Sequence, residues 1–80
     1  MRVQRHTLEE LRARSRSVVG MSELVEAARM QSPSAAYKLA FAKTGSVRKA
    51  KATRFLAMLI RDYGNEAFVE ATNPAYAQHD

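Results

Sequence analysis

The sequence has no cysteine and no tryptophan, and it contains only three glycines and two prolines. Without cysteine, disulfide bonds and thiolate metal sites are excluded. The longest apolar run, 55–60, has six residues, far fewer than the ~20 that a membrane helix needs. The basic first residues are not followed by an apolar secretory segment. We therefore expect a cytoplasmic protein without a membrane partner.

Patterns typical of catalysis and cofactor binding are also scarce. The two histidines, His6 and His79, lie near opposite ends of the chain and are expected to be exposed, so no nucleophile has a base nearby. The three glycines are isolated, which excludes a glycine-rich phosphate loop. No group of histidines and carboxylates has metal-ligand spacing. We expect no enzymatic activity, no metal and no cofactor.

Charge is unevenly distributed along the chain, whose net charge is +5. Residues 1–61 hold all thirteen basic and four acidic side chains, a net charge of +9, whereas 62–80 hold four acids and no base, a net charge of −4. The stretch 38–54 contains six basic residues and no acid. This distribution predicts a polyanionic partner, DNA first and an acidic protein second, although solubility alone also accounts for such a charge.

Hydrophobic periodicity predicts an all-α protein of four to five short helices around a single core. We expect one helical domain over 1–72, with a helix-turn-helix-like centre, and a flexible tail over 73–80. The predicted helices cover about 8–17, a segment that begins at Ser22, 33–43, 47–63 and 66–72. The predicted N-caps are Thr7, Ser22, Ser32, Ser46 and Asn65.

The inward arcs of the second, third and fourth helices predict the core. The side chains expected to be largely buried are Leu24, Val25, Leu39, Phe55, Leu56, Leu59 and Ile60. The opposite side of the fourth helix would carry Arg54, Ala57 and Arg61, and Phe68 and Val69 would anchor the last helix. Because a domain of 80 residues has a thin core, we also expect a homodimer.

Three segments between residues 20 and 60 occur in an informative order: 20–24 (GMSEL), 32–39 (SPSAAYKL), and 45–47 (GSV) followed by 55–59 (FLAML). They resemble the first motif helix, the recognition helix and the supporting helix of helix-turn-helix proteins of the phage-repressor type, in particular the antidote proteins of addiction modules. The resemblance implies a DNA-binding regulator of transcription from a phage, a plasmid or another mobile element.

The segment that resembles a recognition helix has few side chains that read bases. Its candidates are Gln31, Ser34, Lys38 and Lys43. Bidentate recognition by arginine or asparagine is missing. The turn at 29–31 also lacks glycine and is one residue longer than in the family. Phosphate contacts and DNA shape should therefore dominate over base readout.

Two further basic clusters complete the predicted DNA interface. The first lies on the first helix and consists of Arg12, Arg14 and Arg16. The second lies at the start of the fourth helix, whose unpaired N–H groups favour an anion, and consists of Arg48, Lys49, Lys51 and Arg54. About four to six phosphate contacts would give a slope of about −4 to −5 for log Kobs against log salt concentration.

The alanine-rich helices and the methionines also fit a second function. Small side chains allow close helix approach, and methionine supplies adaptable apolar contact. The alternative is therefore a non-enzymatic inhibitor or adaptor that docks on a larger protein or nucleoprotein complex, as phage anti-defence proteins do. Independently of the partner, the acids Asp62, Glu66 and Glu70 would either keep the chain soluble or lie against a basic surface of the same or a second copy, where they would hold a dimer or compete with phosphate.

Overall fold

The structure is a computed structural model that describes residues 6–73. Within these residues it has five α-helices and one 3₁₀ turn: α1 (Leu8–Ser15), the turn (Arg16–Val18), α2 (Ser22–Met30), α3 (Pro33–Thr44), α4 (Val47–Tyr63) and α5 (Asn65–Ala71). The all-α class is confirmed. Apart from Asn73, the predicted flexible tail lies outside the described residues, as does His79. Within 6–73, no helix has the length and apolarity to cross a bilayer.

Side-chain caps fix where three of the helices begin. The Thr7 hydroxyl accepts the backbone N–H of Glu10 at 3.1 Å, and the Glu10 carboxylate accepts the backbone N–H of Thr7 at 3.0 Å. Ser32 and Ser46 each accept the N–H three residues ahead, at 3.4 and 3.2 Å. Gly45 adopts the left-handed conformation, with φ of 69°, that ends α3. These predicted caps are confirmed, and α4 has the predicted bounds.

Two predicted caps are wrong. Ser22 and Asn65 are the first residues of α2 and α5, and the N-caps are Met21 and Gly64, neither of which makes a side-chain cap bond. Gly64 has φ of 96°, a backbone conformation that favours glycine. The chain turns at this glycine, so Asn65 is already helical.

The first helix is shorter than predicted. The hydroxyl of Ser15 donates to the carbonyl of Leu11 at 2.6 Å, and the chain then tightens into the 3₁₀ turn. Ser15 is fully buried, and this bond satisfies its hydroxyl without a partner from another helix. The tighter turn still buries Val18 on the same side as Leu11.

The fourth helix lies at the centre of the domain, where it packs against α1, α2, α3 and α5. Its buried residues are Ala50, Ala52, Thr53, Phe55, Leu56, Ala57 and Leu59. Ala57 was predicted on the outer side, and its burial corrects that prediction. A helix with neighbours on several sides buries more than one amphipathic arc. Val25 and Ile60 are only half-buried at the rim of the core.

Two side chains predicted to pack inward, Leu39 in the core and Val69 as an anchor of the last helix, are exposed instead. Leu39 is 38% exposed and Val69 is 58% exposed. α3 packs on α4 through the small residues Ala36 and Ala40, both fully buried, which leaves Leu39 on the flank next to α2. On α5, Phe68 alone of the predicted pair reaches the core.

Candidate nucleic-acid interface

Docking of α1 on α4 brings together two basic segments that are distant in the sequence. α1 and its 3₁₀ turn bury Leu11, Ser15 and Val18 completely. On α4, the small side chain of Ala52 is 2% exposed and allows the two elements to approach closely. As a result, residues 13–17 lie beside the first turns of α4.

An open groove of about 600 Å³ lies between these two elements, and we call it the basic groove. Its lining residues are Ala13, Arg14, Arg16 and Ser17 on one bank and Arg48, Lys51, Ala52 and Phe55 on the other. Each bank therefore contributes two cationic side chains. Among the described residues, no carboxylate lines the groove. The structure thus joins parts of the two predicted basic clusters in one concave surface.

The ring of Phe55 supports arginines on two sides. The guanidinium carbons of Arg14 and Arg54 lie 5.4 and 5.5 Å from the centroid of this ring. Arg54 also lies 5.2 Å from the ring centroid of Tyr37 on α3. Each cation–π contact at an exposed site is worth about 0.5–1 kcal/mol. Arg14 lines the basic groove, whereas Arg54, which also contacts Tyr37 on α3, does not.

His6 is not the exposed bystander that the sequence predicts. Its ring meets the Phe55 ring edge-on, with 5.1 Å between centroids, and the side chain is partly covered. Its Nδ1 lies 3.6 Å from a carboxylate oxygen of Glu10. The capping box at the start of α1 brings His6 to this position, four residues before Glu10. His6 therefore packs beside Phe55, which lines the basic groove.

Several cations near the groove already have acidic partners. Arg14 lies 3.8 Å from Glu10, and Arg12 forms an ion pair with Glu70 of α5. Within residues 6–73, by contrast, no carboxylate lies within 4 Å of Arg48 or Lys51. The α4 bank of the groove therefore offers cations without an acidic partner among these residues.

The capping box also affects the acid at the edge of the groove. The pKa of Glu10 is lowered mainly because its carboxylate accepts the backbone N–H of Thr7, and the nearby Arg14 and His6 lower it further. A lowered pKa keeps this carboxylate ionised into more acidic solution. Glu10 thus stays charged where it meets Arg14.

One residue of the acidic end, Glu70, pairs with the body of the chain, which is part of one of the two predicted arrangements. Glu70 pairs with Arg12 across the α1–α5 contact, and Asp62 pairs with its neighbour Arg61 at 3.0 Å. The Arg12 side chain is 22% exposed, so this ion pair is partly covered. Arg12 is therefore held towards α5 and does not line the basic groove.

The candidates on α3 lie elsewhere. Gln31 and Lys43 line a second groove between α2 and α3, and Ser34 and Lys38 are exposed on α3, away from the basic groove. Lys49 lies on a side of α4 that does not line the basic groove. The structure therefore brings Arg14, Arg16, Arg48 and Lys51 together and leaves the predicted recognition residues apart from them.

Sequence reasoning missed the role of Phe55 beneath the arginines. The residue was assigned to the core from its helical phase, and it is indeed only 7% exposed. Its spacing from Arg48 and Lys51 placed all three on one face of α4, and this was the available signal.

Comparisons of the chain with family models, curated proteins and solved structures find no match. Within 6–73, no group of histidines and carboxylates is suited to hold a metal ion.

Proposed function

We propose that this protein binds duplex DNA and that the basic groove contacts its phosphate backbone. The observation that carries the proposal is the groove itself, in which each bank supplies two cations and no described acid lines the surface. Lysine and arginine side chains that neutralise phosphates release counterions, and this release supplies most of the non-specific affinity for DNA. The protein would act as a small non-enzymatic regulator in the cytoplasm.

The start of α4 supports an anion at this place. Arg48 is the second residue of α4, where a cation is unfavourable next to the helix dipole by about 0.3–1 kcal/mol. A bound phosphate relieves this cost because it neutralises the cation near the positive end of the helix. Lys51, one turn further along, faces the same groove.

The groove favours phosphate contact over base stacking. Proteins that bind single strands present exposed aromatic rings, on which the bases stack. The aromatic ring in this groove belongs to Phe55, which is 7% exposed and is already packed against arginine. Any base readout falls to Ser34, Lys38 and their neighbours on α3, and the helix-turn-helix assignment of that helix stays a prediction.

The groove is less suited to an acidic protein than to DNA. Stable protein interfaces depend on a few well-packed aromatic or apolar anchors, surrounded by weaker polar contacts. Among its described lining residues, the basic groove has exposed cations but no exposed large apolar side chain. A protein partner would gain charge contacts alone there, whereas a DNA backbone needs no apolar anchor.

Fluorescence anisotropy with a duplex of random sequence tests the proposal. With four phosphates contacted, the slope of log Kobs against log salt concentration should be about −3.6. Polyglutamate as a competitor should displace the DNA poorly at the same charge concentration. A slope near zero contradicts DNA binding. Efficient displacement by polyglutamate instead favours the acidic-protein alternative and the inhibitor or adaptor function.

A further inference from the structure

We propose that the groove between α2 and α3 is the interface of a symmetric homodimer. This open groove of about 700 Å³, which we call the α2/α3 face, is lined by Ser22, Glu23, Glu26, Ala27, Met30, Gln31, Leu39 and Lys43. The inference does not depend on the DNA proposal, because the α2/α3 face and the basic groove share none of the residues that the structure describes.

The α2/α3 face exposes large apolar side chains that the core leaves out. Met30 is 64% exposed and Leu39 is 38% exposed, on either side of the nearly buried Ala27. Meanwhile, eight of the fifteen buried apolar residues described are alanines. The core is thus rich in small side chains, and burial of Met30 and Leu39 against a second copy would add to a thin core.

Charge is divided between the two banks of this face. Glu23 and Glu26 lie on α2, and Lys43 lies on α3. A smaller neighbouring groove is lined by residues 21–24 together with Lys43 and Thr44, so the end of α3 lies beside the start of α2. The two helices therefore run in opposite directions across the face, with the lysine level with the first turns of α2.

This layout is self-complementary. A twofold axis that runs along the groove sets α2 of one copy opposite α3 of the other at the same height. Lys43 of each copy then faces Glu23 of the other, and Leu39, one turn away, faces the segment of α2 from Ala27 to Met30. Because a twofold interface uses one patch twice, the opposite charges and the apolar pair each recur on both sides of the axis. A partner with a uniformly charged surface would satisfy only one bank.

The dimer has a consequence for the predicted recognition helix. Gln31 and Lys43 would be covered at the interface, whereas Ser34 and Lys38 do not line the face. The basic groove of each copy stays open. Two such grooves in one dimer would bind a long duplex more tightly than one, since the second contact becomes intramolecular.

Charge exchange between copies provides the test, with sedimentation equilibrium of the full chain as the measurement. The native protein should sediment as a dimer. Lys43→Glu alone and the double variant Glu23→Lys with Glu26→Lys should each dissociate roughly tenfold more readily, because like charges then face each other across the axis. Lys38→Glu changes the same charge outside the face and should leave the dimer intact.

Mixing the two weakened variants separates contacts between copies from contacts within a chain. In a mixed dimer, the glutamate introduced at position 43 of one copy faces the lysine introduced at position 23 of the other. At the second site, the native Lys43 faces the native Glu23, so the native affinity should return. Far-ultraviolet circular dichroism of each variant alone checks that the helices remain.

Two results would overturn the proposal. One is a native protein that stays monomeric at high micromolar concentration, and the other is a mixture of the two variants that stays monomeric. DNA binding by a native monomer would leave the groove proposal standing, so the two proposals fail separately.

Discussion

The basic groove and the α2/α3 face have similar volumes, about 600 and 700 Å³, but different chemistry. The basic groove has four cations, no described acid and an aromatic ring that is almost covered. The α2/α3 face has two acids, one base and an exposed methionine and leucine. Volume therefore does not distinguish the two surfaces. The sign of their charge and the exposure of their apolar side chains assign one to a polyanion and the other to a second copy.

The two surfaces also differ in what supports them. One bank of the basic groove is the central helix α4, whereas the α2/α3 face lies on two outer helices. Leu59→Ala removes a fully buried side chain of α4 and should lower the free energy of unfolding by about 2–5 kcal/mol. Leu39→Ala, at a partly exposed position, should cost much less in the monomer. Urea unfolding of both variants at low protein concentration measures the difference, and equal costs would contradict this packing.

Helix caps provide a second way to separate the surfaces. Ser46→Ala removes the N-cap of α4 and should cost about 1 kcal/mol, and it should also weaken DNA binding because Arg48 lies in the first turn. Ser32→Ala removes the cap of α3 and is the matched control. It should lower stability without weakening the groove contact. Thermal unfolding and anisotropy on the same samples check both effects. Equal losses of DNA affinity in the two variants would show that DNA binding does not depend on the start of α4 more than on the start of α3.

Local signals in the sequence predicted the helices well where caps and glycines were unambiguous. Ser46 and Gly45 fixed the start of α4 because both act through their own backbone neighbourhood. Ser22 and Asn65 were wrong as caps, since a residue suited to the cap is also tolerated one position later. The predicted exposure of Ala57 and burial of Leu39 were wrong because burial depends on how many helices pack against the helix. The periodicity of a single sequence does not show how many there are.

The site was predicted in pieces. The sequence pointed to both basic clusters, but it gave no reason to join residues 14–16 to 48–51, because their contact arises from the packing of α1 on α4. Arg12 and Arg54 were selected with their neighbours by spacing. In the structure, Arg12 forms an ion pair with Glu70, and the guanidinium of Arg54 lies over the rings of Tyr37 and Phe55. Partners of individual side chains depend on tertiary contacts that periodicity does not encode.

The ion pair between Arg12 and Glu70 should have a smaller effect. Glu70→Gln removes one negative charge beside the basic body and should change stability by about 0–1 kcal/mol, since Glu70 is largely exposed. DNA binding should tighten at low salt and return to the native value at high salt. Glu66→Gln, with the same change of charge on α5, is the control. Anisotropy that is unchanged at low ionic strength would show that the acidic end does not compete with phosphate.

The smallest expected effect is the pH dependence of the α1 cap. The pKa of Glu10 is lowered in the folded protein, so its ionised form stabilises the fold above its ordinary pKa. That stabilisation should disappear as pH falls through the lowered pKa. Glu10→Gln should remove this part of the dependence, and thermal unfolding between neutral and acidic pH measures it. An unchanged pH profile in the variant would contradict the role of the cap.

Cations in the basic groove, rather than basic charge in general, should contact DNA. The salt dependence of DNA binding decides this when it is compared for two double variants that lose the same charge. Arg48→Ala with Lys51→Ala removes the α4 bank, whereas Lys38→Ala with Lys49→Ala removes two cations that do not line the groove. We predict that the first pair reduces the magnitude of the slope by about two and the second leaves it nearly unchanged. Equal reductions, or a larger reduction in the second pair, would show that the groove is not the DNA contact.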